Sequence, residues 1–169
     1  ISETPLIMHN GLLASPLNPI TKLMKKISSK RDKTEADLEE LAKLEWHGGL
    51  YLDKGAPCIP GEVLEATLIN AAKKKKKGQQ AKAGLVCMEN YPLEYDGPKD
   101  IEALWECEEY RYMVSVIVQR SRIMRTRPIF KHWSAEVIVT FNDELLNPSD
   151  INEIMKIAGD IIGLMDRRP

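Results

Sequence analysis

Arg120, Arg122, Arg125, Arg127 and Lys131 crowd one stretch of the chain, and Arg111 stands just upstream of them. From Val116 to Trp133 the segment reads VIVQRSRIMRTRPIFKHW and contains no acidic residue. A guanidinium group forks N–H donors onto a phosphate and also stacks on a base, so arginines at this density suit the grip of a polyanion. The chain as a whole carries 24 basic and 25 acidic side chains and a net charge of only −1. Positive charge segregated on that neutral background points to nucleic acid, RNA or single-stranded DNA, as the partner. Phe130 and Trp133 lie beside the arginines as candidates for base stacking. The alternation around Trp133 turns it toward a core, which makes the segment a phosphate grip more than a base reader. The competing reading is a solvated hairpin kept soluble by its charges. The lack of acidic neighbours favours the polyanion.

Two other basic stretches exist. Lys73, Lys74, Lys75, Lys76 and Lys77, with Lys82, could assist at a phosphate backbone, although lysines also favour helix C-termini for dipole reasons alone. Lys22, Lys25, Lys26, Lys30, Arg31 and Lys33 form the third stretch. The acids collect elsewhere, from Glu35 to Glu45 and from Glu102 to Glu109. A two-faced molecule is therefore expected, and such a charge distribution suits self-association.

Signals for catalysis are weaker. Glu45, His47 and Asp53 could serve a metal-dependent nuclease, but a helix end followed by a Gly-Gly turn explains the same residues. Cys58 reads as a buried apolar thiol, not a nucleophile. The three cysteines, Cys58, Cys87 and Cys107, are far apart, which suits a reducing cytoplasm over a disulfide framework. His9, His47 and His132 are equally scattered, and no CxxC, HxxxH or HExxH spacing occurs. Neither a metal nor another cofactor is expected. No apolar run reaches the roughly 18 residues that span a bilayer, and no signal peptide is visible, so no membrane partner is expected.

The elements that must position these residues follow from periodicity and caps. Pro5 to Leu13 reads as a strand. Asn18-Pro19 starts a helix carrying Ile20, Leu23, Met24 and Ile27. Thr34 and Asp37 form a capping box for a second helix with the stripe Leu38, Leu41, Ala42 and Trp46. Leu50 to Ile59 reads as a small hairpin around Asp53-Lys54-Gly55. Pro60-Gly61 opens a third helix whose apolar set is Val63, Leu64, Leu68, Ile69, Ala71 and Ala72, with Gly78 as its C-cap. Short strands are expected over Leu85–Met88 and Tyr91–Tyr95, and one helical turn over Ile101–Leu104. The two strongest strands are Tyr110 to Gln119 and Trp133 to Phe141, with the arginine segment as the arm between them. Asp150 with Glu153 caps a last helix bearing Ile151, Ile154, Met155, Ala158, Ile161 and Ile162, where Gly159 and Gly163 serve close packing or a C-cap.

These elements predict an α+β fold. The order β-α-β-β-α is that of an RRM-like or ferredoxin-like core without its last strand, which is expected just after Pro169. Residues 1–169 form a single domain, in which 14–60 is a helical and hairpin insertion and 61–169 is the main part of the α+β core.

Ala56-Pro57-Cys58-Ile59-Pro60-Gly61 running into a helix, and Ala158-Gly159 with Ile162-Gly163 in the last helix, resemble the RAMP superfamily of CRISPR proteins. The nearest likeness is to the backbone subunit that coats guide RNA in Cascade-type complexes. The basic segment between the central strands looks like that family's RNA-facing extension. The glycine-rich loop of the family is absent, and the chain ends at Arg167-Arg168-Pro169. The resemblance implies a non-catalytic protein that holds single-stranded RNA or DNA by its backbone and assembles side by side on it, with a virus-borne relative as one form. The alternative expectation is a protein-interaction module or inhibitor that attaches to an acidic partner.

Overall fold

Leu6, Ile7 and Met8 are apolar in succession because all three are buried. They begin the fold in a computed structural model that describes residues 4–118 and 120–165. Strand β1 (Leu6–Ile7) is shorter than the expected Pro5–Leu13 strand. The reason is local: the Asn10 side chain accepts from the Leu12 amide at 3.0 Å and winds Gly11–Ala14 into a 3-10 turn. Asn18 then caps α1 (Pro19–Ser28), with proline in the first turn where no amide is needed. The Thr34–Asp37 capping box starts α2 (Glu35–Gly49). Its stripe differs from the expected one at a single position: Leu38 is exposed, while Trp46 is fully buried.

Strands β2 (Leu52–Asp53) and β3 (Ala56–Ile59) form the expected hairpin, with Leu52 opposite Pro57. Lys54 and Gly55 both take positive φ, 49° and 82°, as a primed two-residue turn demands. Helix α3 (Gly61–Lys74) follows Pro60 directly. A Cβ added at Gly61 would stand 2.4 Å from the Cys87 carbonyl oxygen and 2.5 Å from that of Glu89. Only a glycine lets the helix start lie against that backbone.

The end of α3 differs from expectation. Lys76, with φ 59°, takes the left-handed position, and Gly78 instead opens α4 (Gly78–Gly84). Short strands β4 (Leu85–Val86), β5 (Tyr91–Pro92) and β6 (Glu94–Tyr95) follow, then α5 (Ile101–Glu106), capped by Asp100. Strands β7 (Arg111–Val118) and β8 (Ser121–Phe130) form the long hairpin. Gln119, expected at the end of the first of these, lies outside the described residues, as do Asp166 to Pro169.

The expected strand from Trp133 to Phe141 is broken. Only β9 (Trp133–Ser134) and β10 (Thr140–Phe141) pair, with β6 and β4 respectively. The alternation was a true burial signal, since Ala135, Val137 and Val139 pack on the core while Glu136 and Ile138 are exposed. It did not reveal that this stretch has no ladder partner. The long second strand is instead the arginine segment itself. Helix α6 (Pro148–Ile157) is capped by Asn147 with Asp150, three residues earlier than the expected Asp150–Glu153 pair. It continues as a π turn, Ala158–Ile162, closed by Gly163 at φ 72°. A methyl placed on Gly159 would have nothing within 4 Å, so close packing is not the role of this glycine.

The fold is α+β. Its main sheet has the antiparallel order β1-β8-β7, with Leu6 opposite Phe130 and Ile7 opposite Ile129. Helix α2 packs on β8, and α6 packs on α3. One core cluster gathers Trp46, Leu50 and Ile59 from the stretch 14–60 with Leu68, Leu104, Phe130 and Ile154.

The glycine contacts make a paired prediction. Gly61→Ala should destabilise by about 1–3 kcal/mol, because its new methyl meets backbone oxygens that cannot rotate away. Gly159→Ala should be neutral or slightly stabilising. Urea unfolding of the two variants decides it, and equal midpoints would refute the close-approach account.

Candidate nucleic-acid interface on a projecting hairpin

Tyr112, Val114, Val116 and Ile117 give β7 the branched and aromatic side chains that a pleated strand favours. Register sets which residues share a face. Tyr112, Val114 and Val116 lie opposite Arg127, Arg125 and Ile123, while Met113, Ser115 and Ile117 lie opposite Thr126, Met124 and Arg122. The base of the hairpin is buried at Thr126, Pro128, Ile129 and Phe130. Toward the turn the cover is lost: Met113 is 64% exposed, Ile117 70% and Met124 61%. The hairpin is therefore an arm that leaves the body beyond Thr126. At its turn Arg120 is exposed, with φ 69°.

The arginines of the segment separate by role. Arg120 and Arg122 are exposed at the end of the arm, and Lys131 is exposed just past β8. Arg125 is committed elsewhere: its Nη1 donates to Oε1 of Glu45 at 2.7 Å. The other oxygen of that buried carboxylate accepts the Thr126 amide at 2.9 Å. The expected absence of acidic counterparts held only along the sequence, because Glu45 stands 80 residues away from Arg125. Arg127 is half-buried opposite Tyr112. Its charge reaches His9, whose imidazole is held below its ordinary basicity first by burial and then by Arg127, with Glu45 acting the other way.

Phe130 is fully buried, with its ring 4.9 Å from that of Tyr95, and no base can stack on it. Trp133 is half-buried and donates Nε1–H to the Thr4 carbonyl at 3.0 Å, in line with an inward-turned ring.

The lysine run does not join the arm. It ends α3, which packs on α4 and α6. Lys75 pairs with Glu153 and Lys77 with Asp150, and Lys73 donates to the Asn70 side chain at 2.9 Å. Lys74, Lys76 and Lys82 are exposed. On α1 and its following loop, Lys30 is likewise engaged: it binds Asp37, holding that carboxyl down at about 2 together with the Thr34 amide.

The residues suggested for a nuclease are not assembled. Glu45 is used by Arg125 and Thr126, whereas His47 lies 3.5 Å from Glu102 and against Trp105. Among the described residues no group of three or more His, Cys, Asp or Glu side chains could hold a metal ion. Burial, and then the charge of Asp53, pushes the Cys58 thiol up to about 11, which keeps it an unreactive thiol. Among the described residues no helix is long and apolar enough to cross a membrane.

Glu45 is the residue that sequence reasoning misjudged. Its signal was present: it falls on the apolar face of α2, four residues after Leu41 and next to Trp46. A carboxylate in an apolar stripe needs a cation or amide partner in the fold. The chain matches no family model, no curated protein and no solved structure with which it was compared.

Arg125→Ala should lower stability by about 1–3 kcal/mol, since it leaves the buried Glu45 carboxylate with one donor fewer. Arg122→Ala should change it by less than about 0.5 kcal/mol. Thermal unfolding of both variants tests the division, and similar losses would contradict it.

Proposed function

We propose that this protein binds single-stranded nucleic acid by its phosphate backbone, without catalysis and without strong sequence preference, through the arm formed by β7 and β8. The observation that carries the reading is the arm's charge: Arg120 and Arg122 are exposed at its end, and the buried carboxylate at its base, Glu45, is already neutralised by Arg125. Arg127 extends the positive charge toward the body, where it acts on His9. The aromatic side chains near the arm are occupied in the core, which supports backbone contact over base readout. Of the lysine run, Lys74, Lys76 and Lys82 are the members with charge available for a more distant stretch of strand.

An RRM-like core is part of the same proposal. The order β1-β8-β7, with α2 lying between β1 and β7 in the chain and packed on β8, is the arrangement of the first half of a ferredoxin-like sheet. In the second half α6 rests on α3, a departure from that plan. Side-by-side assembly on RNA or DNA, which the RAMP resemblance implies, extends the proposal.

Fluorescence anisotropy with labelled single-stranded RNA and DNA is the direct test. Affinity should fall steeply as salt rises, and Arg120→Glu with Arg122→Glu should weaken binding about tenfold or more at low salt. The slope of log affinity against log salt should shrink by about 1.4, the share of two phosphate contacts on a single strand. Salt-independent affinity, no binding to either polymer, or wild-type binding by the double variant would each refute the proposal.

His9 adds a pH dependence with a definite sign. In the free protein burial and then the charge of Arg127 hold its pKa below the ordinary imidazole value, which disfavours the imidazolium. A nearby phosphate favours the imidazolium, so binding takes up a proton and should tighten as pH falls from about 7.5 to 5.5. His9→Asn should flatten that profile. A wild-type affinity that is constant across this range would remove His9 from the interface.

A further inference from the structure

The backbone of β7 has a second use. Strand β7 is the outer strand of its sheet. The direction of its polar groups can be read from its partner. The Thr126 amide goes to Glu45, and the Pro128 carbonyl accepts the Met8 amide at 3.0 Å, so both point away from β7. Thr126 and Pro128 lie opposite Met113 and Arg111. In an antiparallel ladder such positions are non-hydrogen-bonded pairs, whose members all turn their N–H and C=O groups outward. With a period of two, Arg111, Met113, Ser115 and Ile117 therefore turn outward along the free edge. The Arg111 N–H is taken by the Glu108 carbonyl, while Met113, Ser115 and Ile117 offer both N–H and C=O, and no other backbone hydrogen bond between described residues reaches that edge.

Exposed edges are usually blunted by charge, proline or a bulge. From Tyr112 to Val118 this one reads YMVSVIV, with no charge, proline or glycine. The edge is composed like a strand that pairs.

The geometry points to β7 as the pairing edge for β7 of a second copy, antiparallel about a two-fold axis at Val114. Centring on Val114 sets Arg111 opposite Ile117 and Met113 opposite Ser115, so every outward-facing residue meets another, as a ladder requires. The feature that singles out a second copy as the occupant is charge. The same register brings Arg120 at the end of one arm level with Glu108 at the foot of the other. Glu108 and Glu109 are exposed, and Glu108, in a 3.7 Å ion pair with Arg111, keeps its side chain 93% accessible. Arg120 is an exposed cation, and this register places it at that acidic foot, with the exposed Arg122 beside it on β8. An unrelated extended peptide has the amides to pair but no such matching of ends. The contact is isologous, so it closes at two copies and joins two three-stranded sheets into one. It does not rest on the nucleic-acid proposal.

The test uses the full chain after nuclease treatment, so that its mass reports protein alone. Sedimentation velocity should give the mass of two copies. In a Cys107→Ser background, Val114→Cys should form a disulfide-linked dimer on mild oxidation. The axis sets the two copies of residue 114 in a non-hydrogen-bonded pair with Cα atoms roughly 4.5 Å apart, within reach of a disulfide. Val116→Cys faces Tyr112 of the other copy and should not cross-link. Glu108→Arg with Glu109→Arg should weaken association at least tenfold, and adding Arg120→Glu with Arg122→Glu should restore it. A single-copy mass at about 100 µM, cross-linking by Val116→Cys as fast as by Val114→Cys, or no effect of the charge reversals would overturn the inference. Sedimentation of the nuclease-treated chain stands apart from the anisotropy measurement, so either proposal can fail while the other survives.

Discussion

The carboxylate of Glu45 is the constraint on which the rest of the structure hangs. Strand β1 covers β8 only at Ile129 and Phe130, with Met8 adding one bond to Pro128. Beyond that point the inner edge of β8 has lost its strand partner while still inside the body. Glu45 fills the gap from α2, accepting the Thr126 amide on one oxygen and the Arg125 guanidinium on the other. A buried carboxylate is costly unless paired and hydrogen-bonded, and here it is both. Trp46, the next residue, donates Nε1–H to the Tyr110 carbonyl at 2.8 Å, immediately before β7. Two consecutive residues of one helix thus hold both legs of the hairpin where it leaves the core.

That anchoring explains the division of the arm. Below Thr126 its side chains serve the core, as with Phe130 packed against Tyr95 and Tyr110. Above it one face, that of Met113, Ile117, Arg122 and Met124, stands in solvent, while Tyr112, Val114, Val116 and Ile123 on the other are half-buried. The outer half of the arm is the part both proposals draw on: pairing would use the backbone edge of β7, and Arg120 and Arg122 are shared between the proposed phosphate contact and the proposed ion pairing with a second copy.

The lysine run illustrates the opposite outcome for a charge cluster. Lys75 and Lys77 reach across to Glu153 and Asp150 on α6. Asp150 is also the reciprocal member of the capping box at Asn147, and its carboxyl is held below its usual range by Lys77 first and the Asn147 amide second. Two of the five lysines thereby help seat one helix on another. Asp150 is 73 positions away from the Lys77 it balances, beyond the reach of any local reading of charge.

What the sequence determined by itself was everything decided within a few residues. The caps at Asn18 and Thr34, the Lys54-Gly55 turn, the α+β class and the inward side of the 133–141 alternation were all legible, because a cap or turn satisfies its own amides within one turn of chain. Tertiary structure alone decided which of these pieces pair. The stretch after Trp133 has the alternation of a strand and lacks a ladder, whereas the arginine segment, with weaker alternation, became the longest strand because β7 and β1 flank it. The candidate site divides the same way. The presence of a basic segment was written in the sequence. The separation of Arg125, a structural cation, from Arg120 and Arg122, which stay in solvent, came only when folding brought Glu45 to the base of the arm, for an ion pair depends on distance in space and not along the chain.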